Sequence, residues 1–173
     1  MTTVIHRIRM TSIIQTVGHS QDEKKANHER IVEIAAARMR ESGTEAPGVA
    51  EIMHAAGLTH GGFSKHFYSR DQLVAEAAQH AFDASARRTA DALEGAEDPL
   101  AAFADFYLSA AHRDGAADGC AVAGLGPDAA RGDERIRARF EAGVQSYLAR
   151  AVDDPALSDE LLAGVRERVI TAR

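Results

Sequence analysis

The 173-residue chain has a single cysteine, Cys120, so it can form no internal disulfide, and a lone thiol fits the reducing cytoplasm expected as its location. Only four prolines interrupt it, alanine is abundant and runs of β-branched residues are missing, which argues against sheet and for an all-α fold. No apolar run approaches the roughly 20 residues of a membrane span, so no membrane partner is expected. Met1 to Thr16 mixes isoleucines with basic residues but lacks the apolar stretch and small-residue cleavage site of a signal peptide. Catalytic signatures are missing too. There is no nucleophile elbow, no phosphate-binding glycine loop closed by Lys-Ser or Lys-Thr, and no His-Glu-x-x-His, so neither an enzyme nor a cofactor is expected. His54, His60 and His66 recur every six residues. That spacing turns about 240° per step on a helix and does not converge on a metal ion.

What is present is concentrated between Gly48 and Arg70. Val49, Ile52, Met53 and Ala56 recur at helical spacing and predict a short helix with one apolar side, capped by Gly48 with Glu51 at its third position. Gly57 ends it, because the turn needs a left-handed residue, and Leu58 plugs the turn. Thr59 is placed to cap a second short helix through His66, with Phe63 and Phe67 on its apolar side. Two short helices joined by about four residues with a glycine in the turn form a helix-turn-helix. The second helix turns Thr59, His60, Ser64, Lys65 and His66 outward, and its front, His60-Gly61-Gly62, has almost no bulk. Such a front can approach the floor of a major groove while hydroxyls and cations meet phosphates. A hairpin that merely packs would not explain two consecutive glycines, each costing roughly 1 kcal/mol against alanine in a helix.

The net charge of −6 speaks against a nucleic-acid partner until it is divided. Residues 1–70 hold nine Lys or Arg against seven Asp or Glu, a net of +2, and six of the eight histidines; residues 71–173 hold eleven against nineteen, a net of −8. The asymmetry predicts a DNA-facing head on an acidic body. Ser20 to Glu23 reads as a capping box opening a helix from Asp22 to Glu41, with Ile31, Ile34, Ala35, Met39 and the stem of Arg38 inward, and Ser42-Gly43 closing it. Ser69 caps a long helix, with Gln72 completing the box; Leu73, Ala77, Ala81 and Val74, Ala78, Phe82 form its buried stripe up to Leu93. Arg87-Arg88 on it read as a solvated face. Asp98-Pro99 starts a helix through His112 that is the most aromatic element of the chain and the expected wall of a small-molecule pocket. The pocket candidates are Phe103, Phe106, Tyr107, His112, Cys120 and Phe140. Gly132-Asp133 opens a helix carrying Ile136, Phe140, Val144, Tyr147 and Leu148, and Ser158 caps a last one.

Asn27 through Ala78, with Gly57-Leu58-Thr59-His60-Gly61-Gly62-Phe63, Lys65-His66-Phe67, Ser69-Arg70 and Leu73-Val74 in order, resembles the DNA-binding head of the TetR family of bacterial transcriptional regulators. The resemblance implies an all-α protein with an N-terminal three-helix helix-turn-helix head and a C-terminal helical effector-binding and dimerisation body. On that reading 1–19 is a disordered extension, 20–70 the DNA-binding domain and 71–173 the body. It further implies a homodimeric repressor on a palindromic double-stranded DNA operator, released by a small, apolar effector. Carried over by position, His60, Gly61 and Gly62 face bases, while Thr59, Ser64, Lys65, His66 and Arg70 hold phosphates. Family members often have Tyr at the place of Ser64 and Ser or Thr at that of Gly48, and these departures shorten or remove a phosphate contact. The body reads as short by part of one or both of the two long helices that family members use to dimerise. The competing expectation is therefore a regulator-like interaction protein that binds ligand or another regulator without specific DNA binding.

Overall fold

The computed structural model describes residues 3–45, 48–151 and 163, with side chains from Gln21 onward except at 99, 100, 135, 150 and 151. The described residues are mostly helical and contain no strand. Seven α-helices follow one another: α1 (Thr3–Ser42), α2 (Val49–Ala55), α3 (Arg70–Leu93), α4 (Pro99–Tyr107), α5 (Ala110–Asp114), α6 (Ala121–Arg131) and α7 (Glu134–Ala151). Two 3-10 helices, His60–Lys65 and Ala116–Asp118, sit between α2 and α3 and between α5 and α6.

Helix α3 is the spine, packed along α1 on one side and α7 on the other. Of its predicted stripe, Leu73, Ala77, Ala81 and Phe82 are buried while Val74 and Ala78 are half-buried, and Ser85, Ala86 and Thr89 extend the buried side. Alanines dominate the stripe, which lets neighbouring helices come close. One close approach is at Gly143 of α7, where a Cβ would stand 2.3 Å from Phe82 Cδ2. One core runs without a break from Ile31, Ala35 and Met39 of α1 through Met53 and Phe67 to Phe140, Val144 and Leu148 of α7.

Helix ends follow local chemistry. Ser69 Oγ accepts from Gln72 N at 3.1 Å and Asp98 Oδ1 from Ala101 N at 3.0 Å, capping α3 and α4 as expected. Asp133 Oδ1 accepts from Ile136 N at the start of α7. Gly43 takes φ +86 and closes α1.

Four expectations are corrected. Helix α1 runs unbroken from Thr3, past the expected start at Asp22. A capping box starts a helix only where the preceding chain leaves it, and the single glycine at 18 does not force a break. Arg38 lies on the exposed side and pairs with Glu41 at 3.2 Å, while Arg40 turns inward. The aromatic helix stops at Tyr107 rather than His112, because Ser109 Oγ caps a new helix by accepting from His112 N. The second element of the Gly48–Arg70 stretch is a 3-10 helix of six residues instead of an α-helix. Gly61 and Gly62 withhold helix propensity, and i→i+3 bonds from Gly62 N to Thr59 O and from His66 N to Phe63 O close its turns. The helix expected to start at Ser158 lies outside the described residues.

Candidate nucleic-acid interface and effector cavity

Helix α2 ends in a Schellman motif. Leu58 N donates to Met53 O at 2.8 Å and Gly57 N to His54 O at 2.9 Å, with Gly57 at φ +73. Leu58, Met53, Phe63 and Phe67 anchor the turn and the 3-10 helix to the core. That anchoring leaves Thr59, His60, Gly61, Ser64 and Lys65 exposed, with Gly62 half-buried behind them. Thr59 stands at the N-cap position, but its hydroxyl makes no capping bond. A Cβ at Gly61 would meet nothing within 4 Å, and at Gly62 only ordinary contacts with Met53 and Thr59. The fold would therefore accept side chains at both positions, so packing does not account for the bare surface there.

Two of the predicted phosphate contacts are turned elsewhere. Arg70 donates to the carbonyls of Thr44 and Glu45 at 2.8 and 2.9 Å, closing the end of α1 against the start of α3. The ring of His66 is half-buried near His28, at 6.3 Å between centroids, and its Nδ1 is buried without a partner among the described residues. Burial, and then the nearness of His28, Lys24 and Lys65, holds its pKa below the usual histidine value. His28 stacks on Phe67 at 4.5 Å, and its Nε2 meets Glu76 Oε2 at 2.7 Å. Gln72 joins in, donating to Glu76 Oε1 and accepting from Tyr68 N, each at 2.8 Å. This network ties α1, the end of the 3-10 helix and α3 together. No sequence signal pointed to it, since His28 and Glu76 are 48 residues apart. An open groove of about 920 Å³ runs beside it, lined by Lys24, Lys25, Ser64, Lys65 and the fully exposed Tyr68.

Of the six pocket candidates, Phe106, Tyr107, His112 and Cys120 do converge, around a cavity of about 10 Å³. Phe103 adjoins them, stacked on Tyr107 at 5.3 Å. Phe140 does not join. It meets Phe82 edge-on at 5.7 Å and lines a separate cavity of about 60 Å³ with Met39, Val74 and Leu125. Helical periodicity put Phe140 inward without saying which side of α3 it would face.

Sequence reasoning missed Ser85, Arg88, Thr89 and Tyr147, which supply much of the polar lining. Thr89 Oγ1 and Tyr147 Oη are 3.1 Å apart. The Tyr107 hydroxyl is pushed up to about 12, by burial first and then by Cys120 and Tyr147. Burial also raises Tyr147, and Cys120 adds to it, against the opposing hydrogen bond from Thr89. Arg88, expected on a solvated face, turns inward to line the cavity and donates to Gly119 O at 3.3 Å. Among the described residues no cluster of three or more His, Cys, Asp or Glu could hold a metal ion, and no helix is long and apolar enough to cross a membrane. A scan against protein-family models and a search of curated proteins each find no match to the chain.

Proposed function

We propose that the chain is a sequence-specific DNA-binding transcriptional regulator of the TetR kind, a homodimeric repressor released from a palindromic operator by a small molecule. The observation that carries the reading is the bare front of the 3-10 helix. His60, Gly61 and the half-buried Gly62 present backbone at a surface where the fold has room for side chains, flanked by the exposed Thr59, Ser64 and Lys65. A surface free of bulk beside hydroxyls and a cation suits close approach to base edges with phosphates at the margins. His66 and Arg70, engaged inside the protein, leave Lys65, Ser64 and Thr59 as the phosphate group of this reading. The cavity under α4 and α5 is the effector site, and α3, running from the head side to that cavity, is the lever between them.

Fluorescence-anisotropy titration of the purified chain against DNA from upstream of its own coding region, with excess nonspecific competitor, tests the reading. Saturation at two chains per site in the presence of competitor is the expected result. Weak binding swept away by competitor would favour an interaction protein that carries ligand or pairs with another regulator.

A further inference from the structure

The cavity shared by Arg88, Thr89, Tyr107, His112 and Tyr147 is small, and the segment that forms one of its walls is unusual for this molecule. No residue from Leu108 to Cys120 is buried, and the segment consists of a five-residue helix and a three-residue 3-10 helix between glycines at 115 and 119. A space of about 10 Å³ holds at most one water, so a larger ligand fits only when a wall moves, and this segment is the wall with no buried residue.

Two guanidinium groups hold the segment down by its backbone. Arg40 of α1 donates from Nε to Ala117 O at 2.6 Å, and Arg88 of α3 donates from Nη2 to Gly119 O at 3.3 Å. Ser85 Oγ adds a 3.4 Å contact to the same Gly119 carbonyl. The hold on Arg88 is loose. Its carboxylate neighbour, Asp118, stands at 4.0 Å with 84% of its side chain exposed, so the pair contributes little. Arg40 Nη1 is buried without an acceptor among the described residues, and its guanidinium is held below the usual arginine range by burial and then by Arg88. The charged groups that bear on Arg40 are Arg88, Asp118 and Glu41, and Glu41 is shared with Arg38. Two cations thus face the region with one weakly bound anion and an imidazole, His112, on the cavity wall.

We propose that the ligand of this cavity is a small organic acid with an apolar body of about ring size, whose carboxylate takes Arg88 from the Gly119 carbonyl and so lifts the 108–119 segment. A guanidinium with several unused donors binds a carboxylate in two parallel bonds, a stronger match than a single long bond to a carbonyl. Thr89, Tyr107 and Tyr147 offer hydroxyls to the second oxygen, and Phe106 and the tyrosine rings cover the body. The acid keeps the apolar body of the effector expected from the sequence and adds a charged group to it. Lifting the segment also loosens Ala117 from Arg40, so the change reaches α1, which His28 and Glu76 tie to the 3-10 helix and α3. This last link rests on the regulator reading; the binding of the acid does not.

Thermal melting of the full chain, without DNA and at fixed ionic strength, tests the proposal with benzoate, phenylacetate and hexanoate against benzamide, phenylacetamide and hexanamide. At about ten times its Kd an acid raises Tm by about 3 °C, and the matching amide does not. Arg88→Met loses the shift, and Arg88→Lys, which keeps the charge but not the fork, weakens it if Arg88→Met does not fold. No shift with any acid, equal shifts with the amides, or a full shift retained in Arg88→Met overturns the proposal. Adding the acid to the operator complex then weakens DNA affinity about tenfold, in the usual range of allosteric coupling. An Arg88-dependent acid shift in a chain that holds no operator would keep the ligand class and remove the DNA reading. Operator binding with no acid shift would do the reverse.

Discussion

Gly57 and Gly61 lie four residues apart and are glycine for different reasons, which makes them a controlled pair. Gly57 sits at φ +73, so Gly57→Ala strains the backbone and destabilises the chain by about 1 kcal/mol. Gly61 has free space where its Cβ would stand and no left-handed angle. Gly61→Leu therefore leaves the melting temperature within a degree or two of wild type, by the small effect of surface substitutions, while specific DNA binding is lost. Thermal denaturation beside anisotropy reads both, and unchanged operator preference in Gly61→Leu would take that surface out of the groove. His66 makes a separate prediction. Its folded pKa lies below the unfolded value, so the unfolded chain binds the proton more tightly. The contribution to stability is full above the unfolded pKa of roughly 6.5 and is lost as pH falls below it. Tm measured between pH 7.5 and pH 5, an interval of about 2.5 units around that value, falls more steeply for wild type than for His66→Phe; parallel curves would show that His66 is not the titrating group.

Elements were legible where one residue decides them. Ser69 and Asp98 cap, Gly57 turns and alanine spacing buries α3, and each of these is a local rule readable within four residues. Ser69→Ala should cost about 1 kcal/mol, seen as a lower denaturant midpoint with an unchanged slope. What local rules did not reveal was competition between neighbouring signals. Ser20 offered a cap that a continuous α1 leaves unused, and Ser109 offered one that α5 does use. Packing across elements was out of reach as well. Phe140 and Tyr147 lie on the same helix at inward positions, yet one meets Phe82 and the other the Thr89 hydroxyl. Arg88 looked solvated because its partner is a backbone carbonyl, which has no sequence signature. The crossing of α3 and α7 depends on Gly143, where Gly143→Ala drives a methyl into the Phe82 ring. Overpacking of this kind typically costs 1–3 kcal/mol. Unfolding in urea should show that loss, and Phe82→Leu in the same chain should recover part of it; no recovery would mean that the two helices do not meet there.

At the scale of the molecule, the charge division and the all-helical class came directly from composition, whereas the proposed dimer and operator depend on chains meeting. Lys65→Ala should weaken binding to every DNA sequence alike and reduce the salt dependence by about one phosphate contact. Affinity and salt slope both unchanged would place the phosphate contacts elsewhere. The core has its own consequence at this scale. Met39 of α1 is buried with Leu125 and Ala129 of α6, and Asp128 of α6 accepts from Thr44 N beside the glycine that closes α1. A cut at Arg70 would not release a self-sufficient front piece. It would strip α1 of its partners and take Arg70 from α3, whose guanidinium fastens the 44–45 bend. Grafting the first seventy residues onto another protein's body should therefore yield an insoluble chimera, unless α3 and α6 travel with them.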